Sequence, residues 1–172
     1  MRVLLGVNRT YQRVLVLATA AFLVCSCGSK GLDEPLPGAK RHFEVSAPWR
    51  DGGSIPRRYT CEGANTAPKI SAAFSGRKAD EATVMTDPDA PDGTFVHWTT
   101  WGRGIEGENS FGKTGYRGPC PPKGDEPHRY VITVYALSRP LGLDAGAKPD
   151  DVVEAIGSRT VASGSITGTF GR

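Results

Sequence analysis

Period-two alternation of apolar and polar side chains is the strongest signal along this chain, and it marks several short strands. In residues 42–47, Phe43 and Val45 alternate with His42, Glu44 and Ser46. A short apolar piece covers 70–74, and ATVMT at 82–86 predicts a further strand. FVHWTTW at 95–101 has the aromatic and β-branched composition that strands favour. YVITVYAL at 130–137 is apolar at both parities, which predicts a central strand buried on both faces. TVASGSITGTF at 160–170 closes the chain as a glycine-interrupted strand. Pro56 makes 55–61 an edge strand or extended loop, 62–68 reads as a loop, and 76–81 as a charged turn. One segment breaks the pattern. PDDVVEAI at 149–156 predicts a helix, with Pro149 at its first position, Asp150 and Asp151 against the positive end of the dipole, and Gly157 as its stop. Val152, Val153 and Ile156 would hold that helix on a sheet. Repeats, heptads and phosphate-loop spacing are lacking. Five or more short strands with one helix predict a mainly β domain, built as a sandwich.

The first 26 residues fall outside this pattern. Residues 1–13 carry three arginines and no acid, and VLVLATAAFLV at 14–24 is an apolar run of eleven. That run is too short to span a bilayer and has the basic-then-apolar order of a signal peptide. Ser26 precedes Cys27, with Val24 further back, a pattern that resembles the lipobox of bacterial lipoproteins; Cys25 fits it poorly. The expectation is a signal peptide over 1–26, a lipidated Cys27 with a polar tether over 27–41, and a domain over 42–172. Plain secretion with nearby cleavage is the alternative. Either way the protein is exported, and lipidation would hold it on a cell membrane, facing outside the cytoplasm.

Export changes the charge. The whole chain carries +3, but without Arg2, Arg9 and Arg13 it has 18 basic and 18 acidic residues. A formally neutral domain gives no reason to expect nucleic acid. Cys61 and Cys120 are then the remaining pair, open to a disulfide in an oxidising compartment. Two buried thiols, or a metal site with His97 or His128, are the alternatives, the metal being weakest because no C-x-x-C or H-x-x-x-H spacing supports it. Neither metal nor cofactor is expected.

The chemistry concentrates in two stretches, DPDAPDGTFVHW at 87–98 and GYRGPCPPKGDEPHRY at 115–130, which hold two of the three histidines. Pro88 and Pro91 fix the backbone and withhold donors, leaving Asp87 and Asp89 to bond amides or face a cleft. His128 and Tyr130, two apart on a strand, share a face, while Arg129 points away toward a structural pairing. Pro119, Pro121 and Pro122 form a stiff rim. Two imidazoles, a phenol and a carboxylate suit a small oxyanion.

DPDAP followed by HW, then GY-x-GPCPP-x-G and HRY, resembles the phosphatidylethanolamine-binding protein family, more narrowly its bacterial Raf-kinase-inhibitor-like branch. RYTCEG at 58–63, YAL at 135–137 and GTF at 168–170 extend the similarity from about Phe43 to the C-terminus. The resemblance implies a family-type antiparallel β-sandwich with one or two short helices and a small anion pocket near one edge. Its ligand-binding residues would be Asp87, His97, Pro122, His128 and Tyr130, supported by Asp89, Pro91 and Trp98. It implies a phosphate or phospholipid head group as ligand, or a kinase or protease as the target of an inhibitor acting through its surface. The chain departs from the family in the short GRGIEGE segment at 102–108, in the thin EATVMT before the first motif, and in lacking a tryptophan near Ala73. Without a G-x-S-x-G elbow or other nucleophile motif, hydrolysis ranks below binding.

Overall fold

A computed structural model describes residues 31–33, 35–74 and 80–172. The expected signal peptide and the expected lipidation site at Cys27 lie outside the described residues. In chain order the strands are β1 (Val45–Ser46), β2 (Gly53–Ser54), β3 (Ser71–Ala72), β4 (Asp80–Asp87), β5 (Phe95–Trp101), β6 (Ile105–Glu106), β7 (Glu108–Asn109), β8 (Lys113–Thr114), β9 (His128–Leu137) and β10 (Thr160–Phe170). Helix α1 (Pro149–Gly157) precedes β10. Six strands form the main sheet in the order β2-β10-β9-β4-β5-β6, antiparallel except for the β2–β10 pair. β1 pairs β3, and β7 pairs β8.

β9 lies inside the main sheet, as its two-sided apolar sequence predicts. Tyr130 and Ile132 face one core with Trp49, Ile55, Tyr59, Met85, Ile166 and Phe170. Tyr135 and Leu137 face another with Ala82, Val84, Val96, Trp101, Val152 and Ile156. Loops and the β1–β3 ladder cover the first face, and α1 covers the second. The first layer can close over β10 because Gly168 has no side chain: a Cβ there would stand 2.4 Å from Ile55 and 2.7 Å from Trp49.

Several boundaries differ from expectation. Residues 42–47 form a strand only at Val45–Ser46, with His42 making an isolated bridge to Ser163. Of 70–74, only Ser71–Ala72 is strand. Residues 55–61 hold a 3-10 turn at Arg57–Tyr59 rather than extended chain, because Thr60 bonds back to the Arg57 carbonyl through both its N–H and its hydroxyl. Asp80 and Glu81, read as part of a charged turn, open β4. The helix includes Gly157, and its end is closed by the Arg159 guanidinium donating to the Ala155 carbonyl at 2.7 Å. The described part of the tether does not hang free: Leu32 and Leu36 pack against the α1 core.

Candidate functional site

A β-bulge builds the site. Met85 pairs with Trp98 and Thr86 with Val96, so His97 is the extra residue on β5. A bulge breaks the alternation of side chains at one point. Val96 and Trp101 accordingly face the α1 core, whereas Trp98 joins the opposite one. His97 thereby comes against Tyr130, with ring centroids 5.2 Å apart and the planes nearly perpendicular. Asp87 ends β4 and His128 begins β9, so all four side chains meet at one end of the sheet.

The hydrogen bonds fix both imidazoles. His97 Nδ1 lies 2.7 Å from the Arg117 carbonyl, which can only accept, so Nδ1 carries the proton. In return the Arg117 N–H donates to the His97 carbonyl at 2.9 Å. His97 is 3% exposed, and this burial pushes its pKa below the ordinary value against the raising effect of the Arg117 carbonyl. His128 Nδ1 donates to Asp87 Oδ2 at 2.8 Å, while Asp87 Oδ1 accepts the Asp89 N–H at 2.9 Å. Each ring therefore turns Nε2 away from its anchor. The Tyr130 hydroxyl is buried and makes no well-formed hydrogen bond, a state it shares with the Tyr135 hydroxyl and the Trp49 and Trp101 indoles, and burial followed by the charge of Asp87 raises its pKa.

The surrounding residues have distinct jobs. Asp89 holds Arg129 through two side-chain bonds, 2.9 Å to Nε and 2.6 Å to Nη2, and also accepts the Arg129 N–H. Its pKa falls, chiefly through the Arg129 hydrogen bonds. The outward pairing expected of Arg129 thus fastens the β4–β5 turn to β9. Trp98 donates to Glu106 at 3.0 Å and stacks edge-on against Tyr116. Pro91 and Pro122 are exposed, while Pro119 and Pro121 are the buried rim prolines, the Pro121 carbonyl accepting from Arg172 Nε at 2.8 Å. Cys61 and Cys120 form a disulfide with Cα atoms 5.4 Å apart, resolving the alternatives left open by spacing.

Sequence reasoning missed one wall. Phe95 and Phe111 both lie against His97, with centroids 5.3 and 5.5 Å away, and the Arg117 guanidinium stands 5.1 Å above the Phe111 ring. Asn109, buried at the end of β7, organises this wall. Its Nδ2 donates to the Gly115 carbonyl and its Oδ1 accepts the Phe111 and Lys113 N–H groups. An asparagine three residues before Gly112, at the head of a glycine-bearing turn, is the available signal, but its partners lie within its own loop and carry no periodicity. Among the described residues, no group of three or more histidine, cysteine or acidic side chains could hold a metal ion, and no helix is long and apolar enough to cross a membrane.

A mainly β domain with a polar cluster at one sheet end and rigid loops around it is the architecture of a binding module. Comparison with known proteins gives the family. Residues 45–171 match the phosphatidylethanolamine-binding protein family model, and the chain belongs to that family. An archaeal UPF0098 protein of Pyrococcus horikoshii is 30% identical over 99% of this chain and 95% of its own length. LppC of Mycobacterium tuberculosis, named as a candidate lipoprotein, is 34% identical over 79% of this chain and 75% of its own. Among solved structures, a candidate phosphatidylethanolamine-binding protein homologue of Chlamydia trachomatis superposes with a TM-score of 0.71 at 27% identity, covering 77% of this chain and 99% of that one. The fold is thus the family's β-sandwich, with a single α-helix among the described residues.

Proposed function

We propose that this chain is an exported, lipid-anchored binding protein whose Asp87–His97–His128–Tyr130 cluster takes a phosphate-type anion, free or as a phospholipid head group. The observation that carries the reading is the convergence of Asp87, His97, His128 and Tyr130 at one end of the sheet, with each imidazole anchored through Nδ1 and the Tyr130 ring against His97. Asp87 brings a negative charge to the cluster and acts to orient it, its oxygens accepting from the Asp89 N–H and from His128 Nδ1, while the exposed Asp125 carboxylate stands 3.9 Å from His128 Nε2. The likeness to a candidate lipoprotein supports the anchor.

Binding fits better than turnover. Neither imidazole hydrogen-bonds a serine, threonine or cysteine among the described residues, and Cys120 is bridged. Family membership also favours a binding or regulatory protein. Calorimetry with inorganic phosphate and with phosphoethanolamine tests the site in wild type and His128→Ala. Binding lost in the variant supports it, and equal binding by both proteins removes it.

A further inference from the structure

We infer that residues 31–33 and 35–37 form a docked strap that turns the His97–His128 end of the sheet toward the membrane, so that the cluster meets phospholipid head groups of the same membrane that holds the anchor. The inference rests on Cys27 carrying that anchor. The strap is built, not trailing. The Leu32 N–H donates to the Thr94 carbonyl at 2.8 Å, and a Cβ on Gly31 would stand 2.9 Å from the Gly93 carbonyl carbon. The Asp33 N–H reaches Asp150 Oδ1 at 3.3 Å, Leu32 and Leu36 pack on the α1 core, and Pro37 reaches Gly157. The chain therefore enters the domain on the β4–β5 turn and then follows α1 from its first turn to its last.

That turn connects Asp87 to Phe95, the site end of the sheet. Four peptide steps join Cys27 to Gly31, so their Cα atoms can be at most about 14 Å apart. β9 runs ten residues away from the site, roughly 30 Å at the rise of a strand. With the strap docked, an anchor at Cys27 keeps the bilayer near the site end and cannot reach the far end. The site end is also suited to a lipid surface. It carries the exposed ring of Phe111 and the exposed cations Lys113, Arg117 and Lys123, which would meet phosphate head groups, interspersed with the exposed acids Asp92, Asp125 and Glu126.

The test uses the chain from Cys27 onward, with the Cys61–Cys120 bridge intact, coupled through the Cys27 thiol to maleimide lipid in phosphatidylcholine–phosphatidylglycerol vesicles. The vesicles contain a lipid with a quenching nitroxide on its head group. A fluorescent amino acid replaces Lys113 at the site end or Arg139 beyond β9. Quenching stronger at 113 than at 139 is expected, and that difference should vanish when about 20 Gly/Ser residues, spanning roughly 25 Å, are inserted after Ser29. Leu32→Asp should reduce the difference too, with near-ultraviolet circular dichroism checking that the domain stays folded. Equal quenching at both positions in the native-length chain overturns the inference, as does a difference that survives the insertion. Mass spectrometry of the protein from cells judges the lipid separately. An unmodified Cys27 would remove the natural anchor without altering the vesicle result.

Discussion

His128 Nδ1 donates to Asp87 Oδ2 at 2.8 Å across 41 positions of sequence, and both side chains are buried. The bond joins the end of β4 to the start of β9 and leaves the His128 Nε2 turned from its anchor. Removing the acceptor should cost both order and stability. Asp87→Ala is expected to destabilise the domain by about 1–3 kcal/mol, the usual cost of leaving a buried donor unpaired, and to weaken phosphate binding. Asp87→Asn retains an oxygen acceptor and should recover part of both. Urea denaturation and phosphate calorimetry on the two variants check this; an Asn variant as weak as Ala would mean the charge matters and the orientation does not.

Much of this pair was legible from the sequence, and the reason is period two. Asp87 ends a recognisable strand, and His128 and Tyr130 stand at one parity of the best strand in the chain. His97 was recognised as a candidate, but the face it occupies was not readable, since a bulge has no local signature in FVHWTTW. The Phe111–Arg117 wall was hidden for a different reason. It depends on Asn109 bonding within its own loop, which leaves no hydrophobic rhythm. The strap was read as a tether because Leu32 and Leu36 stand among prolines and charges in a stretch too short to show a period. The Cys61–Cys120 bridge could be counted but not chosen, since spacing alone admits free thiols.

Burial of His97 sets a pH dependence. Its folded pKa lies below the ordinary value of about 6.5, so at mildly acid pH the unfolded chain binds more protons than the folded one. Stability should therefore fall as pH drops from about 6.5 toward the folded pKa, and no further loss from this group follows below it. His97→Gln, which keeps a donor for the Arg117 carbonyl, should flatten that part of the curve. Thermal melts at closely spaced pH values would show it; identical slopes in both proteins would exclude His97 as the cause.

Phosphate affinity should run the other way. Neutral His97 donates its one ring proton to Arg117, so its Nε2 cannot also donate to an anion. An added proton supplies that second donor. Affinity for inorganic phosphate should rise as pH falls toward the lowered pKa of His97 while the domain remains folded, and the rise should shrink in His97→Gln. Calorimetry in buffers of different ionisation enthalpy would also detect proton uptake on binding. Absence of uptake would mean that the ligand is held by the neutral ring.

The disulfide closes a loop between residues 59 positions apart. In the chain-entropy description such a closure stabilises by about 4 kcal/mol, an upper figure because the open chain retains some order. Cys61→Ser with Cys120→Ser should approach that loss in denaturation. The bridge also fixes the proline rim: the Cys61 N–H donates to the Pro119 carbonyl at 3.1 Å. Phosphate affinity should consequently drop in the double variant even under conditions where it is fully folded. Unchanged affinity in the folded double variant would show that the rim is rigid without the bridge.

Tyr130→Phe separates stability from binding. In most buried tyrosines the hydroxyl has a partner, and its removal is destabilising. Here the hydroxyl has none, and a buried polar group left unsatisfied costs about 1–3 kcal/mol. Phenylalanine keeps the ring against His97, Met85 and Ile132 and deletes only the orphan oxygen. The free protein should therefore be as stable as wild type or more so. If the hydroxyl is held in reserve for an anion, phosphate binding should weaken by about 1 kcal/mol or more, roughly fivefold. Opposite signs in the two measurements are what a functional group held at the expense of stability would produce. Loss of stability with unchanged affinity would instead mark Tyr130 as a core residue and shift the donor role to the two imidazoles.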